Sequence, residues 1–329
     1  MSLSEVRWGI IGCGDVTEVK SGPAFQKVNN SKLVAVMRRN GDLAKDYAAR
    51  HNVPKWYDSA DELINDPDVN AIYIATPPAF HKEYGLKAIA AGKPVYIEKP
   101  MALNFSECRE IIEASEKADV PLFVAYYRRA LPRFAKIKEI LSSGVLGEIR
   151  LVSTKHFRPT GSEGDQVNPP WRIQPHLSGG GLFFDLGSHT LDILDFLLGP
   201  IKEVKGFASN QNGLYEAEDI VTGTYKFESG IHGVCAWCFS AYDHLDSNEI
   251  IGSKGKLEFS TFGDDPIRLT TASSDQEWTI ENPLHIQQPL IQTIVEELTG
   301  NGTCPSTGTT AAKTNWVMDE LVKDYYANK

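Results

Sequence analysis

Short apolar runs alternate with helix-spaced stretches through the first 125 residues, and few folds accept that alternation. The runs cover residues 6–11, 33–37, 71–75, 95–98 and 122–125, and the stretches between them include 41–51, 80–91 and 104–118. A strand that is apolar along its whole length is buried on both faces, whereas a half-solvated strand alternates apolar and polar residues. Helices placed between such strands supply the cover, which makes the sheet parallel. Gly92-Lys93-Pro94 marks one helix end and the start of the next strand, because glycine caps a helix and proline cannot continue it. The expectation for residues 1–125 is a doubly wound α/β domain.

The pattern changes after Tyr126. A helix is expected over 133–142, stopped by Gly144 and Gly147, followed by strand-like segments at 148–156, 203–209, 220–227, 233–239, 249–251 and 256–259. Turn residues separate these segments, which points to mostly antiparallel pairing. A strongly apolar helix over 183–198 interrupts them, and two more close the chain at 287–298 and 309–325. Residues 126–329 therefore read as a second domain, of α+β class, with a polar loop over 162–170 near the site. Two domains suit 329 residues of which 42% are hydrophobic.

The net charge of −10 disfavours nucleic acid and anionic membranes as partners. No apolar run is long enough for a membrane span. The N-terminus enters a strand within a few residues and so does not read as a secretory leader. Five cysteines in a chain this long do not suggest a disulfide framework, and a cytoplasmic location is expected. Cys235 and Cys238 have metal-site spacing, but they sit in a strand-like run where residues three apart face opposite ways. No metal site is expected.

Three segments carry chemistry. In the first, Gly9-Ile10-Ile11-Gly12-Cys13-Gly14-Asp15-Val16-Thr17 leaves a strand and opens a helix. Gly12 permits the tight turn and Gly14 lets backbone approach a pyrophosphate, while Asp15 and Val16 begin a helix whose free N–H groups favour an anion. Thr17 stands where glycine or alanine usually packs helix against strand. A ligand-free glycine turn is the plain alternative, and the strand–loop–helix context weighs against it. The next strand ends in Arg38-Arg39 with no carboxylate. A carboxylate there would hold a ribose diol, whereas arginine pairs with a 2′-phosphate, so NADP is favoured over NAD. The plain alternative is a solvated surface pair.

In the second segment, Glu98-Lys99-Pro100 ends a strand, where open α/β sheets bind ligands and a lysine can polarise an oxygen. In the third, residues 179–192, Asp185, His189 and Asp192 recur at helical spacing on an otherwise apolar helix. Histidine suits proton transfer near neutrality. A helix cap with a hydrogen-bonded core histidine explains the same spacing.

Together these segments resemble the glucose–fructose oxidoreductase, inositol dehydrogenase and MocA (Gfo/Idh/MocA) family. The resemblance also covers 71–81 with Ala75-Thr76-Pro77-Pro78, 125–129, Trp171-Arg172, Glu218-Asp219 and 249–257. It implies a Rossmann domain, an open-faced antiparallel sheet, a cleft site between them, and dimers or tetramers formed through the outer sheet faces. It implies a catalytic set of Lys99, Asp185 and His189. Thr76, Pro77, His81 and Glu98 would line the nicotinamide side, with Trp171 and Arg172 near cofactor or substrate. Thr17 and Tyr127 depart from the family pattern. The expected activity is reversible oxidation of a secondary alcohol on a sugar, polyol or cyclic diol. A flat dihydrodiol substrate stacked on Tyr126, Tyr127 and Trp171 is a variant of it, and a non-catalytic dinucleotide sensor is the rival.

Overall fold

The computed structural model describes residues 3–161 and 169–327. Two compact units make up the chain. One holds the chain through Leu131 together with Asn282–Ala312, and the other holds Pro132–Glu281 with the chain from Lys313 onward. The sequence reading drew a single boundary after residue 125. The return of 282–312 to the first unit rests on long-range packing and leaves no mark in local composition.

The first unit is a six-stranded parallel sheet: β1 (Val6–Ile11), β2 (Ser31–Met37), β3 (Lys55–Tyr57), β4 (Ala71–Ile74), β5 (Val95–Ile97) and β6 (Leu122–Val124). Its order, β3-β2-β1-β4-β5-β6, reverses direction between β1 and β4, the switch point at which doubly wound folds bind dinucleotides. β4, β5 and β6 are buried at every residue, as their unbroken apolar runs require. One sheet face packs aromatic rings, with Trp8 4.9 Å from Phe25, Phe25 5.2 Å from Tyr73, and Tyr73 stacked 4.8 Å from Tyr96. The other face is aliphatic, through Ile11, Ile72, Ile74, Val95 and Ile97. The expectation omitted β3, three edge residues with a partly exposed pattern that gives no apolar run.

Helices α1 (Asp15–Val19), α2 (Gly41–Arg50), α3 (Ala60–Asn65), α4 (His81–Ala90) and α5 (Phe105–Ala118) connect the strands. α1 is short, and Gly22 and Pro23 open a separate 3-10 turn just beyond it. α9 (Gln288–Leu298) joins this unit and buries Leu290, Ile291, Ile294, Val295 and Leu298.

The second unit is an eight-stranded sheet in the order β14-β13-β12-β11-β7-β10-β9-β8. Its strands are β7 (Ile149–Phe157), β8 (Ile201–Ser209), β9 (Ile220–Phe227), β10 (His232–Cys238), β11 (Leu245–Gly252), β12 (Gly255–Phe259), β13 (Ile267–Thr271) and β14 (Asp275–Trp278). β7 and β10 pair parallel, and the other neighbours pair antiparallel. Val152, Thr154, His156, Cys235, Trp237, Asn248 and Ile250 form a buried face. The opposite face carries Lys155, Phe207 and Val234 and is open, with Phe207 81% exposed. β13 and β14, also absent from the expectation, form a hairpin at the sheet edge, with Ile267 and Leu269 buried and β14 polar.

This unit's helices are α6 (Pro132–Ser142), α7 (Pro175–Ser178) and α8 (Ser188–Leu198), and α10 (Gly308–Ala327) closes the chain. Cys235 points into the buried face, whereas Cys238 lies on the other. Among the described residues no cluster of three or more metal-ligating side chains forms. No described helix is long and apolar enough to cross a membrane. Of the polar loop expected over 162–170, residues 162–168 lie outside the described residues.

Candidate functional site

At the carboxyl end of β1 the chain turns through Gly12, whose φ of +92° is costly for any residue with a side chain. A Cβ there would also stand 2.8 Å from Thr76 Cγ2 and 3.1 Å from the Ala75 carbonyl. The N–H groups of Gly12 and Cys13 donate to the Met37 carbonyl at 2.9 and 3.1 Å, tying the loop to the end of β2. Gly14 caps α1, and exposed Asp15 and half-buried Val16 form its first turn.

Thr17 is wholly buried, and its hydroxyl accepts the Gly14 N–H at 3.0 Å and donates to the Gly14 carbonyl at 2.8 Å. Its own carbonyl accepts the Tyr47 hydroxyl at 2.8 Å. The departure from the fingerprint thus works as a local clasp on the loop.

Arg38 and Arg39 are both exposed at the end of β2, and among the described residues neither forms an ion pair. The Arg39 guanidinium lies 5.3 Å from the Phe80 ring centroid, a cation–π contact that holds its plane.

The ends of β4 and β5 complete the first unit's part. Thr76 Oγ1 is buried with no hydrogen-bond partner among the described residues. A buried hydroxyl without a partner costs free energy, so a polar ligand group at this point is favoured. The Gly12 cradle and this hydroxyl fit a dinucleotide across the switch point. Pro77 is half-buried beside it and leads into the turn Pro78–Phe80.

His81, expected along the nicotinamide side, opens α4 directly after that turn. The ring is wholly buried, with Nδ1 3.0 Å from the Pro100 carbonyl and Nε2 2.7 Å from the Thr76 carbonyl. Burial pushes its pKa down to about 4 against the pull of those carbonyls, so the ring is neutral at pH 7. The neutral ring has one N–H, so it donates to one of these two carbonyls and packs against the other.

Glu98 is also buried. Its Oε1 accepts the Tyr73 hydroxyl at 2.5 Å and the Gln287 amide at 2.6 Å, and its Oε2 accepts the Lys99 N–H at 3.2 Å. Lys99 follows, half-buried, joined to Pro100 by a cis peptide. Gln287 had no sequence signal, being one of two glutamines ahead of an apolar helix.

In the second unit the candidate residues cluster around α8. The Gly181 N–H donates to both Glu218 carboxylate oxygens, at 2.8 and 3.0 Å, and a Cβ on Gly181 would lie 2.5 Å from the Glu218 carbonyl. Glu218 is wholly buried and also accepts the Tyr326 hydroxyl at 2.5 Å. From this anchor the chain enters a π-helical turn, Phe183–Gly187, and then α8. The continuous α-helix expected over 183–198 is therefore modified, and Asp185 sits in the wide turn while His189 and Asp192 lie in α8. π turns recur at functional sites, where they re-aim one side chain within a helix.

Asp185 is 18% exposed and pairs with Arg172, Oδ2 to Nε 3.1 Å, while the Arg172 guanidinium lies 4.5 Å from the Trp171 centroid. His189 is 4% exposed and meets the Phe262 ring edge-on at 5.7 Å, and the far side of this aromatic contact is His156, 5.0 Å from Phe262. The Asp246 carboxylate fixes the Phe262 loop by accepting the N–H groups of Thr261, Phe262 and Gly263 at 2.9, 2.6 and 3.1 Å. A buried chain Thr190–Thr261–Asn248–Thr154 ties α8 to the sheet through contacts of 3.1, 2.9 and 3.0 Å. Asp246, Asn248, Phe262 and His156 escaped the sequence reading because they lie on separate strands and a loop with no motif spacing.

Tyr126 is wholly buried and Tyr127 is 7% exposed beneath the Arg128 guanidinium, so neither offers a stacking face. Trp171 remains half-buried.

Comparisons with known proteins agree with this geometry. Residues 6–126 match the model of an oxidoreductase family with an NAD-binding Rossmann fold, and residues 134–258 match a GFO/IDH/MocA C-terminal domain. Oxidoreductase P35 of Formosa agariphila is 40% identical over 321 residues, covering 96% of this chain and 98% of that protein. Trans-1,2-dihydrobenzene-1,2-diol dehydrogenase of Mus musculus is 32% identical, covering 77% of this chain and 74% of that one. A levoglucosan dehydrogenase solved with NADH and levoglucosan shares the fold, with a TM-score of 0.86 at 20% identity over 99% of this chain and 98% of that one. With the cradle, the Glu-Lys-Pro strand end and the anchored π turn all in place, the chain belongs to the Gfo/Idh/MocA family of NAD-binding oxidoreductases.

Proposed function

We propose that this protein reversibly oxidises a secondary alcohol of a sugar, polyol or cyclic diol, with NADP(H) preferred over NAD(H). The observation that carries the reading is the carboxyl end of the parallel sheet. There the Gly12 cradle and the buried, unpartnered Thr76 hydroxyl lie at the ends of neighbouring strands, and Lys99 follows Glu98 at the end of the next. The names of the mouse relative and the levoglucosan enzyme support a diol or sugar as substrate.

When bound, the dinucleotide supplies the hydride acceptor or donor. Asp15 and Val16, in the open first turn of α1, would offer backbone N–H groups to its pyrophosphate, Gly12 and Gly14 would let the backbone come close to it, and Thr76 and Pro77 would flank its nicotinamide. Arg38 pairs with a 2′-phosphate and Arg39, held on Phe80, presents its plane to the adenine. Lys99 donates a hydrogen bond to the reacting oxygen and stabilises the negative charge that develops there. His189 takes the hydroxyl proton during oxidation and returns it during reduction. Asp185, oriented by Arg172 above Trp171, accepts a neighbouring substrate hydroxyl or aligns His189. The open sheet face with exposed Phe207 supports assembly into a homodimer or homotetramer. The reduced cysteines support a cytoplasmic setting.

The test is a panel of sugars, polyols and trans-diols offered with each oxidised dinucleotide, followed through the absorbance of reduced nicotinamide. Turnover of a panel member, faster with NADP, is expected. Tight dinucleotide binding with no turnover across the panel would support a sensor of the same fold instead.

A further inference from the structure

Gln287 lies 188 residues beyond Lys99 in the chain, yet it is wholly buried directly behind the Glu-Lys-Pro strand end. Its neighbours orient its amide. The Tyr96 hydroxyl donates to Oε1 at 2.8 Å, so Nε2 is the end that donates to Glu98 Oε1 at 2.6 Å. Tyr73 donates to that same oxygen at 2.5 Å, and the Lys99 N–H takes the other at 3.2 Å. Burial pushes the hydroxyls of Tyr73 and Tyr96 far above their ordinary pKa, so both stay neutral donors. The carboxylate of Glu98 therefore has fixed donors on both oxygens, and one of them is the backbone of Lys99.

We infer that Gln287 and Tyr73 are positioning residues for Lys99, acting through Glu98: they lock the carboxylate that holds the Lys99 backbone. This rests on the reading of Lys99 as the group that meets the reacting oxygen. Position matters at that step because a misplacement of about 1 Å can cost about a hundredfold in rate.

The test uses Gln287→Met, which keeps the volume and removes the amide, together with Tyr73→Phe and the double variant. Two readouts are taken on the whole chain. One is steady-state turnover of whichever panel member the native protein accepts. The other is the rate at which an amine-acylating reagent labels Lys99, read by peptide mass spectrometry with and without NADPH. The inference predicts that kcat falls about tenfold or more while KM and NADPH affinity stay within about twofold. The two substitutions combine to less than the product of their separate effects, because they act on one oxygen. Lys99 labelling changes severalfold in both single variants.

Unchanged Lys99 labelling with unchanged kcat in folded Gln287→Met protein overturns the inference. A loss of thermal stability with labelling unchanged, or with kcat and KM changing together, also overturns it, leaving Gln287 a purely structural residue. If the native protein turns over no panel member, the functional reading fails, and Lys99 labelling still decides whether Gln287 sets the lysine.

Discussion

Replacing Thr17 by valine keeps the shape of the residue and removes its hydroxyl. In the structure that hydroxyl makes two hydrogen bonds to Gly14, accepting from its N–H at 3.0 Å and donating to its carbonyl at 2.8 Å. The Gly14 carbonyl keeps a second partner, the Thr17 N–H at 2.9 Å, so the group left unsatisfied in Thr17→Val is the Gly14 N–H. At about 1 kcal/mol net for each bond, the loss is about 2 kcal/mol. Thr17→Ser keeps both bonds and gives up a buried methyl, which costs about 1 kcal/mol. If the clasp holds the loop in its binding form, Thr17→Val weakens dinucleotide affinity by up to about thirtyfold, while Thr17→Ser stays closer to native. Fluorescence titration with NADPH, paired with thermal unfolding of each variant, measures both effects. Tighter NADPH binding by Thr17→Val would refute the reasoning, since it would mean that the hydroxyl competes with the pyrophosphate for the Gly14 N–H.

Arg38→Ala should weaken NADPH by about ten- to a hundredfold, the worth of a charge-assisted pair, and leave NADH nearly unchanged in the same titration. The His81 ring has a folded pKa near 4 against an ordinary value of 6.5, so the unfolded chain binds the extra proton between those values. The stability this adds is complete above about pH 6.5 and falls by about 3 kcal/mol as pH drops to 4. Denaturant midpoints of native protein and His81→Gln across that window should diverge, and parallel curves would contradict the burial argument. Glu218→Ala leaves the Gly181 N–H and the Tyr326 hydroxyl without their acceptor, at a cost of about 3 kcal/mol. Calorimetry should show that loss, with turnover falling while NADPH affinity holds.

Legibility in the sequence followed the range of the interactions. β1, β4, β5 and β6 were readable because burial on both faces demands apolar residues without interruption. β3 was not, since three residues at a sheet edge bury too little to leave a pattern. The Gly12 turn was readable because its backbone angle and its close approach to Thr76 both exclude a side chain. Thr17 was seen as a departure, but its bonds to Gly14 depend on where α1 begins and needed coordinates. Asp185 and His189 were found at helical spacing, whereas the π turn between Gly181 and α8 has no spacing of its own to announce it. His81 was found by its motif, but the carbonyls its ring meets needed coordinates, because spacing says nothing about them. Gln287, Asp246 and Asn248 support the site across 189, 15 and 94 residues of chain, a separation that no local pattern encodes.

The most direct test of the account is the pair Lys99→Ala and His189→Ala, each measured for NADPH affinity and for turnover of a panel substrate. The account predicts that both bind NADPH like the native protein and lose turnover by about a hundredfold or more. Near-native turnover in both would contradict the assignment of the chemistry to these two residues.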